Sequence, residues 1–251
     1  LETLNIKGDL MTKVAAFFDI DGTIFRNSLM IEHFMKLMTF EVIDPAIWYT
    51  RVKKVYMEWE SRFGDFERYL EVLAEVYLDE LKGVKKDYIE YIAAHVIKVN
   101  GDMVYKYSRD RIEWHKSQGH KVFFISGSPD FLVSKMAEKY GVTEYRGSIY
   151  KVDEENRFTG EIIKMWDSAS KQRAIDELIE KYDVDLENSF AYGDTTGDLS
   201  MLRMMGNPIA INPNRELFEA IRADDKLSKK ATIIVERKNL IYKLDASVEI
   251  I

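Results

Sequence analysis

Short, continuously apolar runs recur along the chain, each followed by a polar turn, at residues 14–18, 121–125, 189–192, 208–211 and 232–235. They are rich in β-branched and aromatic residues and do not alternate, which predicts strands buried on both faces of a parallel sheet. Between the later runs, apolar residues recur at helical spacing. Ser128 predicts an N-cap with Pro129 in the first turn, and Gly141 lies just past the end of that helix. Ser168 or Ser170 would start the helix through Ala174, Leu178 and Ile179, and Gly206 would end the one through Leu199 and Leu202. Strands alternating with helices predict an α/β core.

Residues 27–105 break this rhythm. They carry helical spacing, no strand-like run, and Trp48, Tyr49, Tyr56, Trp59, Phe63, Phe66, Tyr69, Tyr77, Tyr88 and Tyr91. Lying between the first two predicted strands, they read as a helical insertion folding as its own lobe, with these aromatics mainly as its core. Residues 148–163 carry strand-like ends around Asp153, Glu154, Glu155 and Asn156, which predicts a hairpin.

Composition narrows the class. The 251 residues carry a formal net charge of −7, which argues against nucleic acid as a partner because phosphate backbones require a basic face. There is no cysteine, so disulfides, thiolate metal sites and cysteine nucleophiles are excluded, in keeping with a reducing, cytoplasmic setting. Residues 1–10 contain two acids and no apolar run, unlike a signal peptide, and Met11 is a candidate natural start. No apolar stretch approaches a membrane span, so no membrane partner is expected.

Candidate chemistry gathers where apolar runs end. The first run opens into Asp19-Ile20-Asp21-Gly22-Thr23, placing two carboxylates on one face at the strand's carboxyl edge, where open α/β sheets bind ligands. Carboxylates this close repel unless a proton or a cation intervenes, and oxygen-only donors favour magnesium. An Asp-Gly turn after a strand is also ordinary turn chemistry. The third run opens into Gly193-Asp194-Thr195-Thr196-Gly197-Asp198, a second acidic loop, in which Asp198 alone equally suits a helix cap. The second run closes on Ser126-Gly127-Ser128, where a hydroxyl and free amides before a helix would cradle phosphate; Ser126 is the better candidate for contact and Ser128 for the cap. Lys171 falls in a first helical turn, where a cation is electrostatically disfavoured unless an anion is near.

In this order the motifs resemble the haloacid dehalogenase superfamily, and within it the phosphoserine-phosphatase-like branch with a helical cap inserted after the first motif. The resemblance implies a Rossmann-like parallel sheet with helices on both faces, formed by residues 11–26 and 106–251, and an all-helical cap at 27–105. It implies Asp19 as nucleophile, forming an aspartyl phosphate, and Asp21 as general acid–base. Ser126, Gly127 and Lys171 would hold the phosphoryl oxygens. Asp19, the Asp21 main-chain carbonyl and Asp194 would bind Mg2+, with Asp198 in support and Thr23 holding the turn. Asp21 favours phosphate ester chemistry over dehalogenation. The implied activity is hydrolysis of a small-molecule phosphate ester. An alcohol acceptor in place of water would make the site a phosphotransferase. A chain that had lost turnover would only bind phosphorylated ligands, which the complete residue set argues against.

The cap entrance departs from the branch. Authentic phosphoserine phosphatases place a glutamate soon after the first motif to grip the substrate's amino group, and here that position is Ser28, preceded by Arg26 and Asn27. Arg26 would either meet an anionic leaving group or stay in solvent, and the aromatic cap would equally suit an alkylammonium group. The departure predicts that phosphoserine is not the best substrate. A metabolite panel that ranks phosphoserine far above every other phosphate would overturn it.

Overall fold

Each of the five apolar runs forms a strand of one sheet in the computed structural model, which describes residues 13–250. The readings made on Met11 and residues 1–10 fall outside the described residues. The parallel strands are β1 (Ala15–Phe18), β2 (Lys121–Pro129), β3 (Glu144–Val152), β5 (Phe190–Gly193), β6 (Asn207–Ile211) and β7 (Thr232–Arg237). The sheet order is β4-β3-β2-β1-β5-β6-β7-β8, with β4 (Phe158–Ile163) and β8 (Leu240–Leu244) pairing antiparallel at its two edges. The predicted hairpin is thus β3–β4. Strand β8, Leu-Ile-Tyr-Lys-Leu, is not among the five runs, and its Leu240, Ile241 and Tyr242 are exposed at the sheet edge.

Burial explains the runs. Along β1, Ala16 and Phe18 belong to one apolar cluster while Ala15 and Phe17 belong to another on the opposite face. Helices α8 (Ser168–Tyr182), α9 (Leu199–Met204) and α10 (Arg215–Ala223) cover the second face through Ile175, Leu178, Met201, Leu202, Leu217 and Ile221. Helices α6 (Lys106–Ser117) and α7 (Asp130–Tyr140) cover the first through Ile112, Leu132, Val133 and Met136. With both faces dry, alternation disappears from the sequence. The short α11 (Leu227–Lys230) precedes β7.

Between β1 and β2 run α1 (Leu29–Thr39), α2 (Pro45–Ile47), a π-helical turn (Trp48–Val52), α3 (Lys53–Glu60), α4 (Phe66–Leu81) and α5 (Lys86–Asn100). The chain enters and leaves this insert side by side: Arg26 N–H donates to Met103 O at 3.0 Å and Tyr105 N–H to Ile24 O at 2.9 Å. At the far end, the α4–α5 turn is bonded to the hairpin, with Gly83 N–H on Phe158 O at 2.8 Å and Phe158 N–H on Val84 O at 3.0 Å. Of the aromatics, Tyr69 and Tyr77 are fully enclosed; Tyr56, Trp59 and Phe66 pack around Tyr69, and Trp48 packs on Tyr56, all at half-buried positions. Tyr49, Phe63, Tyr88 and Tyr91 are exposed instead.

Three helix boundaries differ from the sequence reading. Pro129 occupies the N-cap position of α7, so it precedes the first turn, and Ser128 caps nothing because its hydroxyl is engaged elsewhere. Helix α8 is capped by neither serine: Asp167 accepts from Ser170 N–H at 2.8 Å. Gly141 ends α7 in the left-handed conformation, as expected. Helix α9 ends at Met204, and Gly206 serves a different need: a Cβ there would lie 1.7 Å from Glu187 O. Gly206→Ala should therefore push two backbone segments apart and cost about 2 kcal/mol or more, lowering the melting temperature by about 4–8 °C. Unfolding within about 1 °C of the parent would refute the close-packing argument.

Candidate active site

The parallel strands reverse direction of succession between β1 and β5, and ligands of open α/β sheets bind outside the carboxyl ends at such a point. Both acidic loops emerge there. Asp19 follows β1 directly, its N–H donating to Tyr192 O at 2.9 Å. The turn after it closes on Ile20 O, which accepts from Ile24 N–H at 2.9 Å and Phe25 N–H at 2.8 Å. Gly22 adopts φ +81°, and a Cβ there would sit 2.0 Å from an Asp194 carboxylate oxygen. Only glycine meets both demands. Gly193 leaves room in the same way for Asp198, whose Cβ would lie 2.3 Å from a side chain at that position.

Lys171 joins the loops. It stands in the first turn of α8, 3% exposed, and its Nζ donates to Asp19 Oδ1 at 2.5 Å and Asp198 Oδ1 at 2.6 Å. Asp198 also accepts from the N–H groups of Asp194 at 3.0 Å and Thr195 at 3.2 Å, so it both ties down its own loop and fixes the lysine. Thr23 reaches across to Asp194, donating at 2.9 Å, and so braces the second loop more than its own turn.

Asp21 turns toward the β2 loop. Its carboxylate accepts from Ser128 Oγ at 2.6 Å, Ser126 Oγ at 3.1 Å and Leu29 N–H at 2.6 Å. Ser126 also accepts from Ser128 N–H at 3.0 Å. Ser126, Gly127, Lys171, Asp19, Asp21, Asp194 and Asp198 therefore converge, as their motifs predict. Ser128 joins them against expectation, because it sits one residue before the helix boundary where its hydroxyl faces Asp21. Arg26 is exposed where the helical insert begins, and Ser28 is buried at the α1 N-cap without a side-chain capping bond.

Charge is unbalanced here. Burial drives the carboxyls of Asp19 and Asp194 well above the usual range; Asp198 and Asp21 add repulsion at Asp19, and Asp19 and Asp198 at Asp194, against the attraction of Lys171. Burial also raises Asp21, opposed by its bonds from Ser128, Leu29 and Ser126. Burial works against the Lys171 ammonium, but Asp19 and Asp198 outweigh it and hold the lysine charged. Carboxylate oxygens of Asp19, Asp194 and Asp198 lie within 4.8 Å of one another, facing a single ammonium. That donor set fits a hard divalent cation such as Mg2+.

The model of the haloacid dehalogenase-like hydrolase family matches residues 16–203. A phosphoserine phosphatase of Methanocaldococcus jannaschii is 25% identical over 232 residues, spanning 91% of this chain and 94% of its own. A histidinol-phosphatase of Neisseria meningitidis is 22% identical over 214 residues, spanning 82% and 93%. Among solved structures, a Bordetella pertussis protein of unknown function superposes with TM-score 0.68 at 20% identity, covering 84% of this chain and 96% of that one. A phosphoserine phosphatase carrying a phospho-aspartyl intermediate analogue superposes with TM-score 0.58 at 22% identity, covering 90% and 95%. These two likenesses establish the shared fold.

A carboxyl whose proton affinity rises on folding stays protonated where the unfolded chain has already released its proton. Its contribution to stability therefore falls as pH rises from the ordinary carboxylate range through the elevated folded value. At pH 7 without divalent ions, Asp194→Asn should be about 1–2 kcal/mol more stable than the parent, because it removes one of the crowded charges. Magnesium should raise the parent's melting temperature and leave that of the variant unmoved. Thermal melts with and without magnesium test both statements, and equal magnesium shifts in the two proteins would rule out Asp194 as a ligand.

Proposed function

The chain belongs to the haloacid dehalogenase-like hydrolase family, and on that premise we propose that it is a magnesium-dependent phosphomonoesterase working through a phospho-aspartate on Asp19. One observation carries the reading: the buried Asp19–Lys171–Asp198 ion pair, with Asp21 two residues on, held by Ser126 and Ser128 at the same sheet edge.

In the first half-reaction an Asp19 carboxylate oxygen attacks phosphorus in line. The bond from phosphorus to the ester oxygen breaks, and Asp21 delivers its proton to the departing alkoxide. In the second, water attacks the aspartyl phosphate while Asp21 takes its proton. The bond from phosphorus to the Asp19 oxygen breaks, releasing inorganic phosphate and regenerating both carboxyl groups. Burial of Asp21 favours the protonated form that the first half-reaction needs. Lys171, Ser126 and the Gly127 amide would bind the oxygens of the transferring group, whose charge must be met without help from bulk water.

Asp19, Asp194 and the main-chain carbonyl of Asp21 would hold magnesium, with Asp198 supporting, and the ion would supply charge neutralisation at the phosphoryl group. Residues 27–105 would serve as the cap, with 11–26 and 106–251 as the core. Arg26 and Ser28, at the start of the insert, are the candidates for reading the leaving group. Among the described residues no helix is long and apolar enough to cross a membrane. A cytoplasmic setting belongs to the same proposal, supported by the absence of cysteine.

Phosphate release from a panel of small phosphomonoesters, including phosphoserine and histidinol phosphate, tests the proposal with and without magnesium. The parent should release phosphate only with the ion, and Asp19→Asn should lose at least about 10³-fold in kcat because the nucleophile is gone. Undiminished turnover in that variant would remove Asp19 from the reaction. Asp21→Asn should slow esters with poor leaving groups far more than a nitrophenyl ester, whose departure needs no proton.

A further inference from the structure

The β2–β3 ladder runs in register from Phe123 opposite Glu144 to Ile125 opposite Arg146, breaks, and resumes at Pro129 opposite Ser148. The break contains Ser126, Gly127 and Ser128, the segment that faces Asp21. A break inside a buried sheet leaves main-chain groups without ladder partners, and an unsatisfied buried carbonyl or amide costs about 1–3 kcal/mol. Ser148 fills the gap. It has no exposed surface, its Oγ donates to Gly127 O at 2.7 Å, and the same oxygen accepts from Met165 N–H at 3.1 Å. The other end of the Gly127–Ser128 peptide is held too, since Ser128 N–H donates to Ser126 Oγ at 3.0 Å.

Met165 opens the segment that leads through the Asp167 cap into the first turn of α8, where Lys171 stands. Its neighbour Trp166 packs on both substrate-facing loops. A Cβ on Gly127 would lie 2.8 Å from Trp166 Cβ, and one on Gly197 would lie 3.0 Å from Trp166 O. One buried hydroxyl therefore links the serine–glycine loop to the segment that positions the lysine.

We propose that Ser148 is a positioning residue that sets the spacing between the Ser126–Gly127 phosphate loop and Lys171. It touches neither substrate nor metal and acts through the Gly127–Ser128 peptide and the Met165 amide. Only a group that both donates and accepts can serve: alanine satisfies neither main-chain partner, and a cysteine thiol keeps most of the volume but is a weak donor. This rests on the phosphatase reading, since the loop's role as phosphate holder comes from it.

The test measures binding as well as turnover. Inorganic phosphate is titrated calorimetrically into the magnesium-loaded parent, Ser148→Ala, Ser148→Cys and Ser189→Ala. Kinetics are followed on the best ester of the panel. Ser189 is a control of equal burial far from the loops, its hydroxyl accepting from Ala15 N–H at 2.9 Å. Both Ser148 variants should bind phosphate about tenfold more weakly, with KM raised by a similar factor and kcat changed less. Ser189→Ala should lose thermal stability while keeping phosphate affinity within about twofold of the parent. The Met165 amide should exchange slowly in the parent and quickly in both Ser148 variants. Phosphate affinity within about twofold of the parent in folded Ser148→Ala or Ser148→Cys would overturn the proposal. A parent that neither binds phosphate nor hydrolyses any ester would instead overturn the phosphatase reading on which it stands.

Discussion

A lysine ammonium enclosed by protein is stable only where carboxylates surround it, and Lys171 between Asp19 and Asp198 meets that condition across three separate chain segments. Its place in the first turn of α8 opposes the helix dipole, so the helix itself does nothing to hold it. Losing one partner of such a buried pair costs about 3–5 kcal/mol, because a bare charge is left behind. The three segments are thus committed to one arrangement: the end of β1, the loop after β5 and the start of α8. Yet the pair is over-supplied with acid. Asp194 and Asp21 stand close by, and burial pushes both carboxyls toward the protonated form. The excess of acid over the single lysine is the kind of crowding that a bound divalent cation would relieve.

The surrounding sequence follows from that crowding. Gly22 and Gly193 are small because Asp194 and Asp198 occupy the space beside them, and Gly127 is small because Trp166 does. Hydroxyl groups complete the bonding: Thr23 holds Asp194, Ser126 and Ser128 hold Asp21, and Ser148 holds the peptide that follows Gly127. Each side chain has few alternative partners in its enclosed setting, which restricts rotamers before any ligand arrives. Preorganisation of this kind lowers the reorganisation needed at the moment of reaction.

The helical insert is attached at two places. Its entry and exit segments pair beside the Asp21 turn, and its α4–α5 turn is bonded to the β3–β4 hairpin. Between these anchors α5 packs on α7, and the apolar cluster of the insert is continuous with one face of the sheet. Leu29, at the start of α1, donates its amide directly to Asp21, so the first helix of the insert bears on that carboxylate itself.

What the sequence determined by itself is everything set by local pattern. Runs without alternation announced strands buried on both faces, and they appear within a few residues of their expected ends. Two acidic loops at strand termini, a Ser-Gly-Ser and a lysine at a helix start named the residues that converge. Tertiary structure decided what each of them does to the others. Lys171 and Asp19 are 152 residues apart, and Thr23 and Asp194 are 171 apart, so no local signal could pair them. Ser128 looked like a cap because caps are the commonest use of a serine before a helix. Its true partner, Asp21, lies 107 residues away. Asp167 displaced Ser168 and Ser170 as the α8 cap because a shift of one to three residues changes which side chain faces the free amides. Strand β8 was not among the predicted runs: it is a short edge strand paired by main-chain hydrogen bonds to β7, and its side chains, Leu240, Ile241 and Tyr242 included, stay largely in water. Patterns of burial are written along the chain, whereas partnerships between buried polar groups are made only when the folded sheet brings its loops together.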